Sequence, residues 1–143
     1  MNYKHTQIAY LIIAVMILAL IPLVLAISQQ KEGTWVVLMV ALILAVSGWL
    51  FSSLTVEVEN GFLKFWFGPS FIKKNIDLSQ VVDCQAVKNS WLCGWGIHLT
   101  ANGWLYNVSG FEAVEIKLKS GKRFRLGTDQ PTELCQAIKT NLH

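Results

Sequence analysis

The stretch TVEVENGFLKFW, Thr55 to Trp66, decides how this chain is read. Apolar residues alternate on both sides of Asn60-Gly61, and that dipeptide is the strongest short signal for a two-residue type I′ turn. Such a turn sets Glu59 against Phe62, Val58 against Leu63, Glu57 against Lys64 and Val56 against Phe65. Apolar side chains then meet on one face and opposite charges meet on the other, as a half-buried hairpin requires. From Leu54 onward the chain reads as antiparallel sheet.

Upstream the texture is different. Residues 8 to 27 and 34 to 56 contain no charged side chain. Each run is about 20 residues, and at ~1.5 Å rise per residue a helix of that length spans a ~30 Å hydrocarbon core. Two transmembrane helices are expected, over about 8–27 and 35–54. Residues 1–54 then form a membrane hairpin, and residues 55–143 a separate β domain. A signal peptide competes for the first run, because Lys4 and His5 precede it and Val24-Leu25-Ala26 resembles a cleavage site. The run is longer than the ~7–15 residues of a signal core, and a second run follows at once.

The short link from Ser28 to Thr34 makes the two helices antiparallel neighbours, so both chain ends fall on one side. Lys4, Lys64, Lys73 and Lys74 flank that side and Lys31 flanks the other. The positive-inside rule therefore places both termini in the cytoplasm. Pro22 should kink the first helix. Trp35 and Trp49 fit interfacial anchors. Ala41, Ala45, Gly48 and Ser52 recur at intervals of three and four, a small-residue face for helix packing within the hairpin or against a larger complex. Neither run holds Asp, Glu, Lys or Arg, so a proton relay or ion path has no residue to carry it.

Downstream, Asn102-Gly103 marks a second hairpin. A two-residue turn pairs Ala101 with Trp104, Leu99 with Tyr106 and Ile97 with Val108, and the opposite face pairs Thr100 with Leu105, His98 with Asn107 and Gly96 with Ser109. The apolar face should point inward. The other is a strip of little bulk, and Gly94, Gly96, His98 and Asn107, with Trp91 beside them, are the candidate interaction face.

A third hairpin surrounds Ser120-Gly121-Lys122. A three-residue loop sets Leu118 against Phe124, Lys119 against Arg123 and Lys117 against Arg125. Each like-charged pair costs a few tenths of a kcal/mol. Lys117, Lys119, Arg123 and Arg125, with Lys73 and Lys74, are therefore candidate contacts for anionic lipid or a partner, against the plainer reading of solvated surface. Phe71–Asp77 and Val81–Lys88 complete seven or eight strands. Near the end, Thr128 or Asp129 can cap a helix over about 130–142, with Pro131 in its first turn and Leu134, Ile138 and Leu142 as its buried stripe.

Chemistry-bearing sets are sparse. Cys84, Cys93 and Cys135 are odd in number and lack CxxC spacing, which fits reduced thiols in a cytoplasmic domain. His98 faces away from the neighbours of Cys93, so no catalytic dyad is expected. A thiol-based enzyme or redox sensor is the least favoured reading. No zinc spacing or phosphate-cradling glycine loop occurs, and no cofactor is expected. Residues 55–143 carry ten basic against eight acidic side chains, too small an excess to argue for nucleic acid.

Gly94-Trp95-Gly96-Ile97, Val108-Ser109-Gly110, Ala113-Val114-Glu115-Ile116 and Gly127-Thr128-Asp129 with Pro131 and the closing helix carry a resemblance over essentially the whole chain. It resembles the bacterial pleckstrin-homology-like (PH-like) membrane proteins, in which two transmembrane helices precede a partly open antiparallel β-roll capped by a C-terminal helix. The resemblance implies a multi-pass protein of the bacterial inner membrane whose cytoplasmic domain binds a protein partner or further copies of itself. Eukaryotic relatives of the fold often bind phosphoinositides near the first hairpin, where this chain offers only Lys64, with Lys73 and Lys74 beyond it. A non-enzymatic assembly module is the expectation, and anionic-lipid binding is the alternative.

Overall fold

The computed structural model describes residues 2–29 and 32–142. Lys31, counted above on the far side of the hairpin, lies outside them. The chain is α+β: a pair of apolar helices, two sheets rich in antiparallel pairing, and a C-terminal helix.

The sheet begins before the helices. Tyr3–Ile8 forms β1, ahead of α1 (Tyr10–Gln29) and α2 (Thr34–Leu50). The strand pairs antiparallel with β2 (Ser53–Glu59), from Tyr3 opposite Val58 to Ile8 opposite Ser53. The N-terminal residues, read above as part of the hairpin, thus belong to the β layer. They carried no apolar alternation because their inward side chains are Tyr3, His5 and Gln7, each of which makes a hydrogen bond across the roll. The Tyr3 hydroxyl donates to Gln130 Oε1 at 3.3 Å, His5 Nε2 lies 2.6 Å from Asp129 Oδ1, and Gln7 Nε2 donates to the Ser109 carbonyl at 3.2 Å.

The helix pair is clamped at its base. The Ala9 amide donates to the Ser52 carbonyl at 2.8 Å, extending the β1–β2 ladder, while the Ala9 carbonyl accepts from Ile13 and starts α1. Ala9 is fully buried at this junction. Along the helices the facing residues are Ile12, Met16, Ala19 and Leu23 on α1, and Val37, Ala41, Leu44 and Gly48 on α2. A Cβ on Gly48 would come within 3.1 Å of Met16 Cγ, so glycine permits the close approach. Of the expected small-residue face, Ala41 and Gly48 turn inward, Ala45 is exposed, and Ser52 lies beyond the helix. The chain runs as helix through Pro22. α1, at 20 residues, is long and apolar enough to cross a membrane, whereas α2 has 17. The uncharged run to Val56 combined two uses: helix to Leu50, then the buried strand residues Leu54 and Val56.

The first sheet runs β1-β2-β3-β4, with β3 at Phe62–Phe67 and β4 at Ile72–Asp77. The β2–β3 register is the one expected around Asn60-Gly61, including Glu57 opposite Lys64. Positive φ at both turn residues, 52° and 77°, fits type I′. The second sheet runs β5-β8-β9-β7-β6. Its strands are β5 (Val81–Lys88), β6 (Gly96–Thr100), β7 (Gly103–Asn107), β8 (Glu112–Leu118) and β9 (Arg123–Gly127). Nine strands occur among the described residues, and one pair, β7 with β9, is parallel. Leu54, Val58, Leu63, Phe65, Phe67, Ile116, Leu126, Leu134 and Ile138 fill the space between the sheets and α3 (Pro131–Thr140). Gln130 occupies the N-cap of α3, and the Thr128 hydroxyl accepts from the Gln130 amide at 3.1 Å.

Two registers differ from expectation. In β6–β7, Leu99 faces Trp104 and Ile97 faces Tyr106, so the turn residues are Ala101 and Asn102. Gly103, at φ 100°, lies against β9, where a Cβ would clash with the Arg123 carbonyl oxygen. In β8–β9, Glu115 faces Arg125 and Lys117 faces Arg123. Both shifts preserve which residues share a face.

Gly103→Ala should therefore cost about 3 kcal/mol, since both φ and the β9 backbone oppose it. Gly121→Ala, also at positive φ but with nothing within 4 Å of its Cβ, should cost about 1 kcal/mol. Thermal unfolding in detergent checks the difference, and equal losses would refute the close β7–β9 approach.

Candidate interaction site

The roll is sealed on one side by β1 and remains open on the other. Along the open seam β4 faces β7 and β9 across a cleft of about 630 Å³. Phe65, Tyr106 and Phe124 form its floor, with ring centroids 5.0 to 6.3 Å apart. Lys74, Lys122 and Arg123 line its rim, with Trp104, and no carboxylate among the described residues lines it. Lys74 lies on the inward side of β4 and holds its ammonium 5.0 Å from the centre of the Tyr106 ring. Lys73 points outward, opposite Trp66.

The basic ladder is broken up by the β8–β9 register. Arg125 Nε donates to Glu115 Oε2 at 2.8 Å, and its Nη1 donates to Asn89 Oδ1 at 3.2 Å. Glu115 is buried, and a charge-assisted bond of this kind is stronger than a neutral one. Arg125 is thereby committed within the protein. Arg123 Nη1 is 3.7 Å from the same carboxylate but remains half exposed. Lys117 stands opposite Arg123 and is exposed, and Lys119 lies in the hairpin loop, its amide bonded to the Gln80 carbonyl. Of the six basic candidates, only Lys74 and Arg123 reach the aromatic cleft. Lys122, read above as a loop residue, is the third cation there.

The strip around Gly94 and His98 is not bare. Gly94 and Gly96 take positive φ and bracket Trp95, whose carbonyl is hydrogen-bonded to His98 Nε2. The turn folds back on β6, with His98 lying 3.5–3.8 Å from where side chains on those glycines would stand. Asn107 is buried: its amide nitrogen donates to the Gly110 carbonyl at 3.0 Å, and its oxygen accepts from the Ser109 amide at 3.2 Å. It braces the 107–110 turn and takes no place on an open face. Leu105, on the same side of β7, is fully buried.

What remains open is the turn before that loop. Trp91 and Leu92 sit in a 3₁₀ turn, Trp91–Cys93, capped by Ser90, and each is 75% exposed. Leu99 on the edge strand β6 is also largely exposed. Sequence reasoning singled out Trp91 and missed Leu92, whose exposure depends on the 3₁₀ turn rather than on strand alternation. Among the described residues no group of three or more His, Cys, Asp or Glu side chains is placed to hold a metal ion. No family model, no curated protein and no solved structure matches this chain.

Proposed function

We propose that the chain is a non-enzymatic, two-span membrane protein whose β-roll, PH-like in kind, is an interaction module at the cytoplasmic face of the bacterial inner membrane. It binds a protein partner or further copies of itself. The observation that carries this reading is the clamp between helices and sheet. The Ala9–Ser52 bond leaves no flexible linker, so helices seated in lipid hold the roll against the bilayer surface.

Several features support the placement. α1 and α2 are apolar on all sides, and among the described residues none covers their outward faces. α2 is about 25 Å long, and local thinning of the bilayer accommodates so small a shortfall. Tyr10, Trp49 and Phe71 gather at the base of the helices, with Trp49 and Phe71 ring centres 6.0 Å apart edge to face. Trp35 marks the far end. Aromatic side chains near both ends of the helix pair fit interfacial anchoring. Lys4, Lys64, Lys73 and Lys74 lie on strands of the sheet at the base, which favours the cytoplasmic side for the roll.

The exposed pair Trp91 and Leu92 supports the partner role, since adjacent large apolar side chains left in water mark contact surfaces. Contact with anionic headgroups is the second reading. It is favoured by Lys73, which lies on the outer face opposite Trp66, two residues after the exposed Phe71. Lys117, Lys119 and Arg123 remain available to it, while Arg125 is neutralised by Glu115.

In mild detergent the protein should migrate as an oligomer or with a partner, and Trp91→Ser with Leu92→Ser should reduce it to a monomer. A wild-type chain that is strictly monomeric and partner-free by light scattering overturns the assembly role. A reporter active only in the cytoplasm should work when fused at the C-terminus, and activity of a periplasm-dependent reporter there reverses the orientation.

A further inference from the structure

We infer that Cys84 and Cys135 are an oxidisable dithiol whose disulfide staples the C-terminal helix to the second sheet. Cys84 lies on β5 and Cys135 on α3, 51 residues apart in sequence, and their sulfur atoms are 2.8 Å apart. Each sulfur also lies against the other's backbone. Cys84 Sγ is 3.3 Å from the Cys135 carbonyl oxygen, and Cys135 Sγ is 3.0 Å from that of Cys84. Cys93 stands apart in the Trp91–Cys93 turn. Buried cysteines usually serve as small apolar side chains among unlike neighbours. Here two meet sulfur to sulfur across the seam between a helix and a sheet.

The two sites are not equivalent. A groove of about 560 Å³ between β5 and α3 is lined by Gln85, Thr132, Cys135 and Lys139, but not by Cys84. Cys135 is 8% exposed and Cys84 1%. A small oxidant therefore meets Cys135 first. Lys139 lies one turn along α3 in the same groove, with its ammonium 4.0 Å from Asp83. Burial, reinforced by the Cys135 hydrogen bond, pushes the Cys84 thiol far above its ordinary value, so Cys84 stays protonated until it is called on to resolve.

With hydrogen peroxide the steps balance. The Cys135 sulfur attacks one peroxide oxygen, the O–O bond breaks, and the departing hydroxide takes up the proton given up by the Cys135 thiol and leaves as water. The Cys135 sulfenic acid is then attacked by the Cys84 sulfur. The S–S bond forms, the S–O bond breaks, and the Cys84 proton departs with the hydroxyl as a second water. Two thiols lose two electrons, and the peroxide gains them. The product ties the last helix of the chain to β5. In the reduced protein that helix is held by the packing of Leu134, Ala137 and Ile138. The inference is independent of the partner reading, because it concerns how firmly the roll is closed.

The test uses the full-length protein in mild detergent. After hydrogen peroxide treatment it is unfolded, its remaining thiols are alkylated, and it is weighed intact and mapped. The reduced protein takes three alkyl groups, one for each cysteine. The oxidised protein is expected to take one, on Cys93, with Cys84 and Cys135 linked and the α3 amides exchanging hydrogen more slowly. Cys93→Ser should give the same linkage. Cys84→Ser should leave a sulfenic acid at Cys135 that a dimedone probe captures; if that variant does not fold, the wild-type mapping alone decides. Three free thiols after peroxide, a disulfide involving Cys93, or irreversible oxidation of Cys135 with Cys84 free would each overturn the inference.

Discussion

The ladder between β1 and β2 is the constraint on which the rest depends. It joins the residue before the first helix to the second residue after the second helix, Ala9 to Ser52, through backbone groups alone. Helix ends held in this way cannot splay, so the facing residues of α1 and α2 are in contact range from the base upward. The same ladder sets the β3–β4 turn on the end of α2. Gly68 donates to the Ser53 carbonyl at 2.9 Å, and a side chain there would strike the Trp49 and Leu50 carbonyl oxygens at 2.7 Å. On its other edge β1 seals the roll through Tyr3, His5 and Gln7. A polar strand of six residues thus couples the apolar helices to the apolar core while burying little apolar surface itself.

How much of this was legible depended on whether charge and apolar pattern chose the same register. Around Asn60-Gly61 they did, and every expected pair is present. Around Ser120-Gly121 the alternation could not choose, because moving the register by two residues keeps Ile116, Phe124 and Leu126 on one face. The charges could have chosen. Glu115 opposite Arg125 replaces a repulsive rung by an attractive one, worth up to about 1 kcal/mol on a sheet and more when buried. At Asn102-Gly103 the glycine was read as serving its own turn, whereas it serves the neighbouring strand. Parallel contact with β9 is a long-range fact that no local motif announces.

The remaining misses share a cause. β1 was invisible because its inward residues are polar and its partners lie more than 40 residues away. The second apolar run was over-read because Leu54 and Val56 are as apolar as a membrane helix but are buried in the sheet. Asn107 was assigned to an open strip by alternation, although its side chain closes its own turn. The basic candidates were scattered for the same reason: alternation gave their faces, and register decided which of them Glu115 neutralises. The meeting of Cys84 with Cys135 depends on how α3 docks, which the stripe Leu134, Ile138 and Leu142 implies only in outline.

Disulfide trapping across β1 and β2 tests the clamp most directly. Thr6 and Thr55 lie opposite each other, their hydroxyl oxygens 2.9 Å apart. With the native cysteines replaced by serine, Thr6→Cys with Thr55→Cys should cross-link within one chain in native membranes as readily as Glu57→Cys with Lys64→Cys on the β2–β3 hairpin. A hairpin pair that cross-links while the Thr6–Thr55 pair stays free would mean that the N-terminal strand does not join the sheet, and the clamp would be wrong.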